Sequence, residues 1–172
     1  MKLSLMASIT IDGFISKNIE ESSLNWTTRE DTKFFVKKTK EAGYLIMGSK
    51  TFETIEEKHL PFKERTIIVL SNSKEYGQYH SDQVRVESGT PKEVYEKLES
   101  EGINEVVLAG GSSVYTQFIN ENLVDDLFIT VESVAFGDGV KLFNQKVNVK
   151  LILIEVIDLS DQTKVFHYKV EN

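Results

Sequence analysis

Short apolar runs alternate along the chain with segments whose apolar positions recur at helical spacing. The runs are rich in β-branched residues and too short for helices, which is typical of buried strands. Predicted strands cover residues 3–9, 44–47, 66–70, 84–86, 105–109 and 127–134. Predicted helices cover residues 28–40, 49–58, 91–100 and 112–120. This alternation predicts an α/β domain with a doubly wound, mostly parallel sheet.

The end of the chain has a different pattern. Two β-rich runs, residues 149–157 and 163–170, predict an antiparallel hairpin that closes one edge of the sheet. No repeat or linker interrupts the chain, so residues 1–172 are expected to form a single domain. Ligands bind beyond the carboxyl ends of the strands in such sheets. The loops to search therefore follow Ile9, Met47, Leu70, Ala109 and Val131.

Composition narrows the class of protein. Hydrophobic residues make up 40% of the 172 and charged residues 27%, as in ordinary globular proteins. A net charge of -7 argues against nucleic acid or an anionic membrane as the main partner. The chain has no cysteine, and His59, His80 and His167 are scattered without metal-ligand spacing, so no metal site is expected. Without a signal-peptide core or membrane-length apolar run, a cytoplasmic protein is expected.

Two junctions between a strand and a helix carry glycine. They are Met47-Gly48-Ser49-Lys50-Thr51 and Ala109-Gly110-Gly111-Ser112-Ser113. Glycine lets the backbone approach a ligand closely, and a helix N-terminus favours an anion there. Each junction alone is also compatible with a tight turn, and Lys50 with a solvated side chain. Together they favour a dinucleotide, whose phosphates two helix starts could share.

One acidic residue stands out near the start of the first predicted helix. Asp31 follows Trp26 by five residues and Thr28, a suitable N-cap, by three, which also suggests a capping-box partner. A carboxylate in the first turn is favoured by the helix dipole, and on residue chemistry alone this explanation is the stronger one. The alternative is a carboxylate in a pocket wall that binds the amidine-like edge of a heterocycle.

Taken together, these residues resemble the dihydrofolate reductase superfamily over nearly the whole chain. The segment 5–13 is similar to the family's first strand and loop, and the pair Trp26 and Asp31 to its tryptophan and catalytic acid. Segment 47–51 resembles the cofactor motif Met-Gly-Arg-x-Thr, and segment 109–115 the glycine turn, whose Gly-Gly bond is cis in the family. Leu60-Pro61 and segment 65–71 resemble the region with the family's substrate-binding arginine.

The resemblance implies an NADPH-dependent oxidoreductase with Asp31 as its catalytic residue. It implies substrate contacts from Ala7, Trp26, Phe35, Arg65 and Thr130, with Thr39 on the same helix as Phe35. It implies cofactor contacts from Gly48, Ser49, Lys50, Thr51, Leu70, Ser71, Asn72, Gly110, Gly111, Ser112, Ser113, Val114 and Tyr115.

The sequence also departs from the family's pattern. Ser49 stands where the family has an arginine for the 2'-phosphate, which leaves NADPH preference to Lys50 and Ser71-Asn72. Segments 123–127 and 136–139 look more like the reductase domain of the riboflavin bifunctional deaminase-reductase. The substrate is therefore expected to be a pterin or a pyrimidine-type heterocycle, the second by a 5-amino-6-(5-phosphoribosylamino)uracil reductase-type activity.

Two other classes of function stay open at this point. One is a nucleotide-binding module without catalysis. The other is a structural domain that self-associates through its C-terminal hairpin, so a homodimer is also left open.

Overall fold

The computed structural model describes residues 1–56, 59–60, 62–73 and 83–171 of the chain. Its strands are β1 (Lys2–Thr10), β2 (Phe14–Ser16), β3 (Tyr44–Gly48), β4 (Thr66–Leu70), β5 (Val84–Glu87), β6 (Glu105–Leu108), β7 (Asp126–Glu132), β8 (Val140–Lys141), β9 (Lys150–Asp158) and β10 (Lys164–Glu171). Its helices are α1 (Arg29–Ala42), α2 (Ser49–Glu53), α3 (Pro91–Ser100) and α4 (Ser112–Asn120), with a 3-10 turn at Ser23–Asn25. None of the helices in this described part has the length and hydropathy that crossing a membrane requires.

Within the described residues, eight strands form one sheet in the order β5-β4-β3-β6-β1-β7-β10-β9. The neighbours from β5 to β7 are parallel, whereas β10 runs antiparallel to both β7 and β9. These pairings confirm the predicted fold class, a doubly wound and mostly parallel sheet with an antiparallel C-terminal hairpin. Because β1 lies between β6 and β7 and is parallel to both, the carboxyl ends of these three strands lie side by side, although β1 is about 100 residues or more from the other two in the chain.

The core lies in two layers, one on each face of the sheet. On one face, Leu3 and Leu5 of β1 belong to a buried cluster with α3 and α4. On the other, Met6 belongs to a cluster with Phe52 of α2 and side chains of α1. Successive side chains of a strand point to opposite faces, so the apolar run of β1 supplies both layers. This double burial explains why apolar residues occupy both faces of the strand, although Ser4 and Ser8 interrupt the run.

Local signals fix some boundaries accurately. Thr90 forms a capping box with Glu93, and Pro91 occupies the first helical position, so α3 has its predicted bounds. Helix α2 was predicted to reach about Lys58 but ends at Glu53. Its last turn tightens, because the Thr54 backbone N–H and hydroxyl both donate to the Thr51 carbonyl that a longer helix would use. Lys58 itself lies outside the described residues.

A small second sheet, β2 with β8, was not predicted. Strand β2 lies in the stretch predicted as a loop up to Trp26, and no strand was predicted at residues 140–141. The two strands are too short to show a periodic pattern and lie over 120 residues apart. Asp12 stabilises the region, accepting hydrogen bonds from the backbone N–H groups of Phe136 and Gly137, the second at 2.7 Å. The hydrogen bond from the Thr10 hydroxyl is the main reason why the pKa of Asp12 lies below its ordinary value.

Candidate active site

A cleft of about 1000 Å³ lies at the carboxyl ends of the parallel strands, where the sheet topology places it. Its walls include the catalytic candidate Asp31 and the substrate candidates Ala7, Phe35, Arg65 and Thr130. They also include every cofactor candidate: Gly48, Ser49, Lys50, Thr51, Leu70, Ser71, Asn72, Gly110, Gly111, Ser112, Ser113, Val114 and Tyr115. The structure therefore gathers residues from both halves of the chain at a single cleft.

Trp26 is the one site candidate that the structure does not place in the cleft wall. Its ring instead meets the Phe136 ring edge-on, with centroids 5.2 Å apart. Its buried indole N–H has no hydrogen-bond partner among the described residues. The neighbouring Thr27 and Leu24 line the cleft in its place.

Asp31 lies in the first turn of α1 and is only 6% exposed. Ser8 donates a hydrogen bond to its Oδ2 at 2.6 Å, and the Thr130 side chain also hydrogen-bonds to it. Burial raises the pKa of Asp31 above its ordinary value, and the charge of Glu132 acts in the same direction. The two hydroxyls oppose this shift because they stabilise the carboxylate.

Ser8 is a cleft residue that the sequence did not identify. It lies directly opposite Thr130 in the β1–β7 pairing, so the two hydroxyls share one face of the sheet below Asp31. Only the strand register brings these residues together. An alternating pattern in each strand could have suggested that their side chains share a face, but not that the strands are neighbours.

Glu132 is a second buried carboxylate near Asp31 that was missed. Its Oε1 accepts hydrogen bonds from the Thr28 backbone N–H at 2.7 Å and from the Thr28 hydroxyl at 2.9 Å. Its Oε2 accepts from the Thr163 hydroxyl at 3.1 Å. This corrects the predicted capping box. The Thr28 hydroxyl does accept a hydrogen bond from the Asp31 N–H, but the Thr28 N–H donates to Glu132 and not to Asp31.

The glycine turn forms the opposite wall. The Gly110–Gly111 peptide bond is cis, as the resemblance implied. Gly110 has a φ of +117°, which favours glycine, and a Cβ at Gly111 would lie 2.9 Å from the Thr51 hydroxyl oxygen, so any side chain there must displace Thr51. The Gly48 N–H donates to the Gly110 carbonyl at 2.8 Å, which joins the two glycine junctions side by side.

The start of α4 offers unused polar groups to the cleft. Gly111 is its N-cap, so no side chain caps the helix. The Ser112 hydroxyl is buried and has no hydrogen-bond partner among the described residues. Tyr115, one turn on, donates to the Met6 carbonyl at 2.6 Å, and burial raises its pKa above the ordinary value. The helix start can therefore receive an acceptor from a ligand.

Charged groups lie at two further parts of the cleft. Lys50 is exposed beside Ser49, near the glycine junctions. Arg65 is 9% exposed, donates to the Thr39 hydroxyl at 3.0 Å and stacks on Phe62. Burial lowers the pKa of Arg65. Both cations are placed to meet anionic parts of a ligand.

The histidines in the described part of the structure do not gather at one place. His59 lines the cleft, while His167 stacks on Phe128 and contacts Asp126 at 2.7 Å. Pro61 and His80 lie outside the described residues. A buried carboxylate that the sequence did not single out, Glu87, also lines the cleft and binds Arg85 and Lys97.

The fold is that of the dihydrofolate reductase superfamily. A family model described as dihydrofolate reductase matches residues 2–163, so the chain belongs to this family of reductases. The resemblance expected from the sequence is confirmed.

Individual relatives span the same length. The Bacillus subtilis uncharacterized protein YwjB is 23% identical over 172 residues, covering 97% of each protein. A putative riboflavin biosynthesis protein from Shewanella sp. PV-4 aligns over 100% of both chains, with a TM-score of 0.84 and 21% identity. Dihydrofolate reductase from Enterococcus faecalis, solved with NADP(H), has a TM-score of 0.70 and 22% identity, covering 99% of this chain and 97% of that chain. At these identities the structural likenesses show a shared fold.

Proposed function

We propose that the chain is an NADPH-dependent reductase that transfers a hydride to a pterin- or pyrimidine-type heterocycle bound at Asp31. The observation that carries this proposal is the sharing of one cleft by a buried carboxylate and a glycine-lined helix start. A carboxylate can hold a nitrogen heterocycle through charge-assisted hydrogen bonds, and a helix start can hold a phosphate. The two walls thus suit a substrate and a dinucleotide side by side.

The cofactor wall fits NADPH in three respects. The buried Ser112 hydroxyl lacks a partner among the described residues, and α4 begins without a side-chain cap. A Cβ at Gly111 would crowd the Thr51 hydroxyl, so without one the backbone itself lines the wall. Lys50 adds an exposed cation. These residues would hold the phosphates, and NADPH when bound supplies the hydride.

Asp31 would orient the substrate and hold a proton. Ser8 and Thr130 fix its side chain by hydrogen bonds. Its raised pKa favours the protonated acid more than in a free aspartate, which suits a group that supports protonation of a ring nitrogen. Burial also excludes the water that would compete for the ring. Phe35 and Ala7, which line the same wall, offer an apolar surface for the ring.

Arg65 would set which substrates bind. Its guanidinium is held by the Thr39 hydroxyl and the Phe62 ring. A fixed, buried guanidinium is suited to a carboxylate or a phosphate on the substrate's tail. Dihydrofolate carries the first kind of group and a phosphoribosylaminopyrimidine the second.

A second candidate is a 5-amino-6-(5-phosphoribosylamino)uracil reductase-type activity. It is supported by the likeness of the whole chain to the putative riboflavin biosynthesis protein. The segment 136–139, which resembles that branch, binds Asp12 at the β2–β8 end of the cleft. Loss of NADPH absorbance with dihydrofolate, or with the aminopyrimidine phosphate, decides between the two substrates.

The cofactor assignment is tested by titrating NADPH into wild type, Gly111→Ala and Gly102→Ala. Even one methyl group at Gly111 would collide with Thr51, so we expect at least a tenfold loss of affinity. Gly102 has a φ of +80° and lies in open space away from the cleft, whereas Gly111 has a φ of −86°. Gly102→Ala therefore strains the backbone without touching the cofactor wall, and controls for general destabilisation. Equal affinities in all three proteins would remove the glycine turn from the cofactor site. Failure of wild type to bind any dinucleotide would refute the proposed function.

A further inference from the structure

Ser8 holds a hydrogen bond in the cleft that a ligand can rearrange. Its side chain is half-buried in the cleft wall, and its hydroxyl donates to Asp31 Oδ2 at 2.6 Å. A serine hydroxyl carries one hydrogen, which turns about the C–O bond towards an acceptor within reach. An ionised carboxylate can only accept hydrogen bonds. The Ser8 hydroxyl can therefore serve either Asp31 or an acceptor on a ligand beside it.

The pairing of β1 with β7 gives Asp31 a second hydroxyl neighbour. Thr130 lies directly opposite Ser8, and its side chain also hydrogen-bonds to Asp31. The two hydroxyls differ in access, because Thr130 is only 2% exposed whereas Ser8 is half-buried. Ser8 is therefore the hydroxyl that a ring at Asp31 can reach more easily. Thr130 can stay on the carboxylate when Ser8 turns towards a ligand.

The surroundings of this pair make hydrogen-bond matching important. Asp31 is itself buried, and the apolar side chains of Ala7 and Phe35 line the same cleft. A polar group of a ligand that is buried there without a partner weakens binding, because it has given up its hydrogen bonds to water. The donors and acceptors on a ring must therefore match those of Ser8 and Asp31.

Two kinds of ring edge match this pair differently. An imide edge has a ring N–H between two carbonyl groups, so it brings one donor and two acceptors. An amidine edge has a ring nitrogen beside an amino group, so it brings donors and no carbonyl group. The Asp31 carboxylate can accept from the N–H groups of either edge. A carbonyl group of the imide edge also needs a donor, which Ser8 can supply and an ionised Asp31 cannot.

We infer that Ser8 is a specificity-determining residue, which strengthens the binding of rings with an imide edge and not of rings with an amidine edge. The inference rests on the proposed binding of a heterocycle at Asp31. When an imide edge binds, its N–H donates to Asp31 and the Ser8 hydroxyl turns to the adjacent ring carbonyl. When an amidine edge binds, the Ser8 hydroxyl stays on Asp31, so its contribution is the same before and after binding.

Two pteridines that differ only in their ring substituents test this inference. Lumazine carries two carbonyl groups and has the imide edge, whereas 2,4-diaminopteridine carries two amino groups and has the amidine edge. Fluorescence titrations measure the affinity of each for wild type and for Ser8→Ala. The variant should bind lumazine about fivefold more weakly, because one buried ring carbonyl loses its donor. Its affinity for 2,4-diaminopteridine should change about twofold or less.

The chain offers a matched control on the same strand. Ser4 lies on the same face of β1 as Ser8 but does not line the cleft, and its buried hydroxyl has no hydrogen-bond partner among the described residues. Ser4→Ala should therefore bind both pteridines like wild type. Ser8→Thr keeps a hydroxyl and should recover the affinity for lumazine. Circular dichroism spectra establish that each variant is folded.

The possible failures are distinguishable. Equal losses of both pteridines in Ser8→Ala would overturn the inference and leave the heterocycle site in place, since Ser8 would then only position Asp31. Unchanged affinity for lumazine in Ser8→Ala would also overturn it. If wild type binds neither pteridine, the proposed heterocycle site at Asp31 is wrong, and the inference falls with it.

Discussion

Asp31 and Glu132 are two buried carboxylates at the junction of α1 and β7, yet their surroundings differ. Glu132 accepts three hydrogen bonds, two from Thr28 and one from Thr163, and does not line the cleft. Asp31 accepts hydrogen bonds from Ser8 and Thr130 and faces the cleft. A buried carboxylate that has protein partners and no access to the cleft holds the fold together. A buried carboxylate at a cleft wall can exchange its partners for those of a ligand.

The comparison also shows how the two groups act on each other. The charge of Glu132 contributes to the raised pKa of Asp31. Thr28 connects them, since it donates to Glu132 and caps the N–H of Asp31. We therefore regard Glu132 as a residue that positions the start of α1 and so the Asp31 side chain. A substitution of Asp31 should therefore lower activity more than stability, and a substitution of Glu132 should lower stability more than activity.

The largest expected effect is on turnover in Asp31→Asn. The variant keeps the shape but can neither ionise nor hold the transferred proton, so turnover should fall by a factor of roughly 100 or more. NADPH affinity should be unchanged, because the glycine junctions form a different wall. Steady-state reduction and an NADPH titration measure both quantities. Normal turnover in this variant would mean that Asp31 is only a helix-start carboxylate, and would favour the pyrimidine branch.

The next effect is on stability, in Glu132→Ala. The substitution leaves the Thr28 N–H without its acceptor and removes the acceptor of two hydroxyls, at a cost of about 2–3 kcal/mol. The free energy of unfolding in urea measures this loss. Glu132→Gln keeps one acceptor oxygen and should lose less. An unchanged free energy of unfolding in Glu132→Ala would show that the hydrogen bonds do not hold the α1–β7 junction.

A smaller effect should appear in the pH dependence of stability. Because the pKa of Asp31 is raised in the folded protein, folding disfavours its ionised form. The protonated Asp31 side chain therefore contributes to the free energy of unfolding. That contribution is fully present below the pKa of Asp31 in the unfolded chain, about 3.9, and is lost as the pH rises through its pKa in the folded protein. Asp31→Asn should thus unfold at higher urea concentration than wild type at pH 7, with a difference that shrinks towards pH 4. A difference that grows on acidification would contradict the burial effect.

The smallest expected effect is on the preference for NADPH over NADH, which depends on the cofactor wall and on neither carboxylate. Lys50→Ala should weaken NADPH several-fold more than NADH, because only NADPH carries the 2'-phosphate and an exposed ion pair contributes about 1 kcal/mol or less. Asp31→Asn serves as the control and should leave this ratio unchanged. Titrations with both nucleotides measure it. Equal losses for NADPH and NADH would place Lys50 away from the 2'-phosphate.

The sequence predicted the elements whose signals are local. The cap and proline at Thr90-Pro91 and the glycines before α4 gave the starts of two helices. The ordered set of motifs, with the spacing of Trp26 and Asp31 among them, gave the resemblance. The sequence did not predict Glu132, because a charged residue near a strand end is normally exposed. Its burial depends on β7 lying beside the start of α1, which no local pattern reports.

The burial of Asp31 was likewise beyond the sequence. An acidic residue in a first helical turn is usually solvated, and only the β1–β7 pairing brings two hydroxyls beneath it. The departure of Trp26 from the cleft has a similar origin. Its ring partner Phe136 belongs to a loop more than 100 residues away in the chain.

The cleft takes its walls from segments spread between Met6 and Asn144. A ligand that binds there binds only when β1, β3, β6 and β7 are assembled, so its binding free energy adds to the stability of the whole domain. Thermal melting can therefore identify ligands before any reaction is known. A ligand present at one hundred times its dissociation constant should contribute about 2.7 kcal/mol to unfolding. A rise in melting temperature therefore identifies which nucleotides and heterocycles bind.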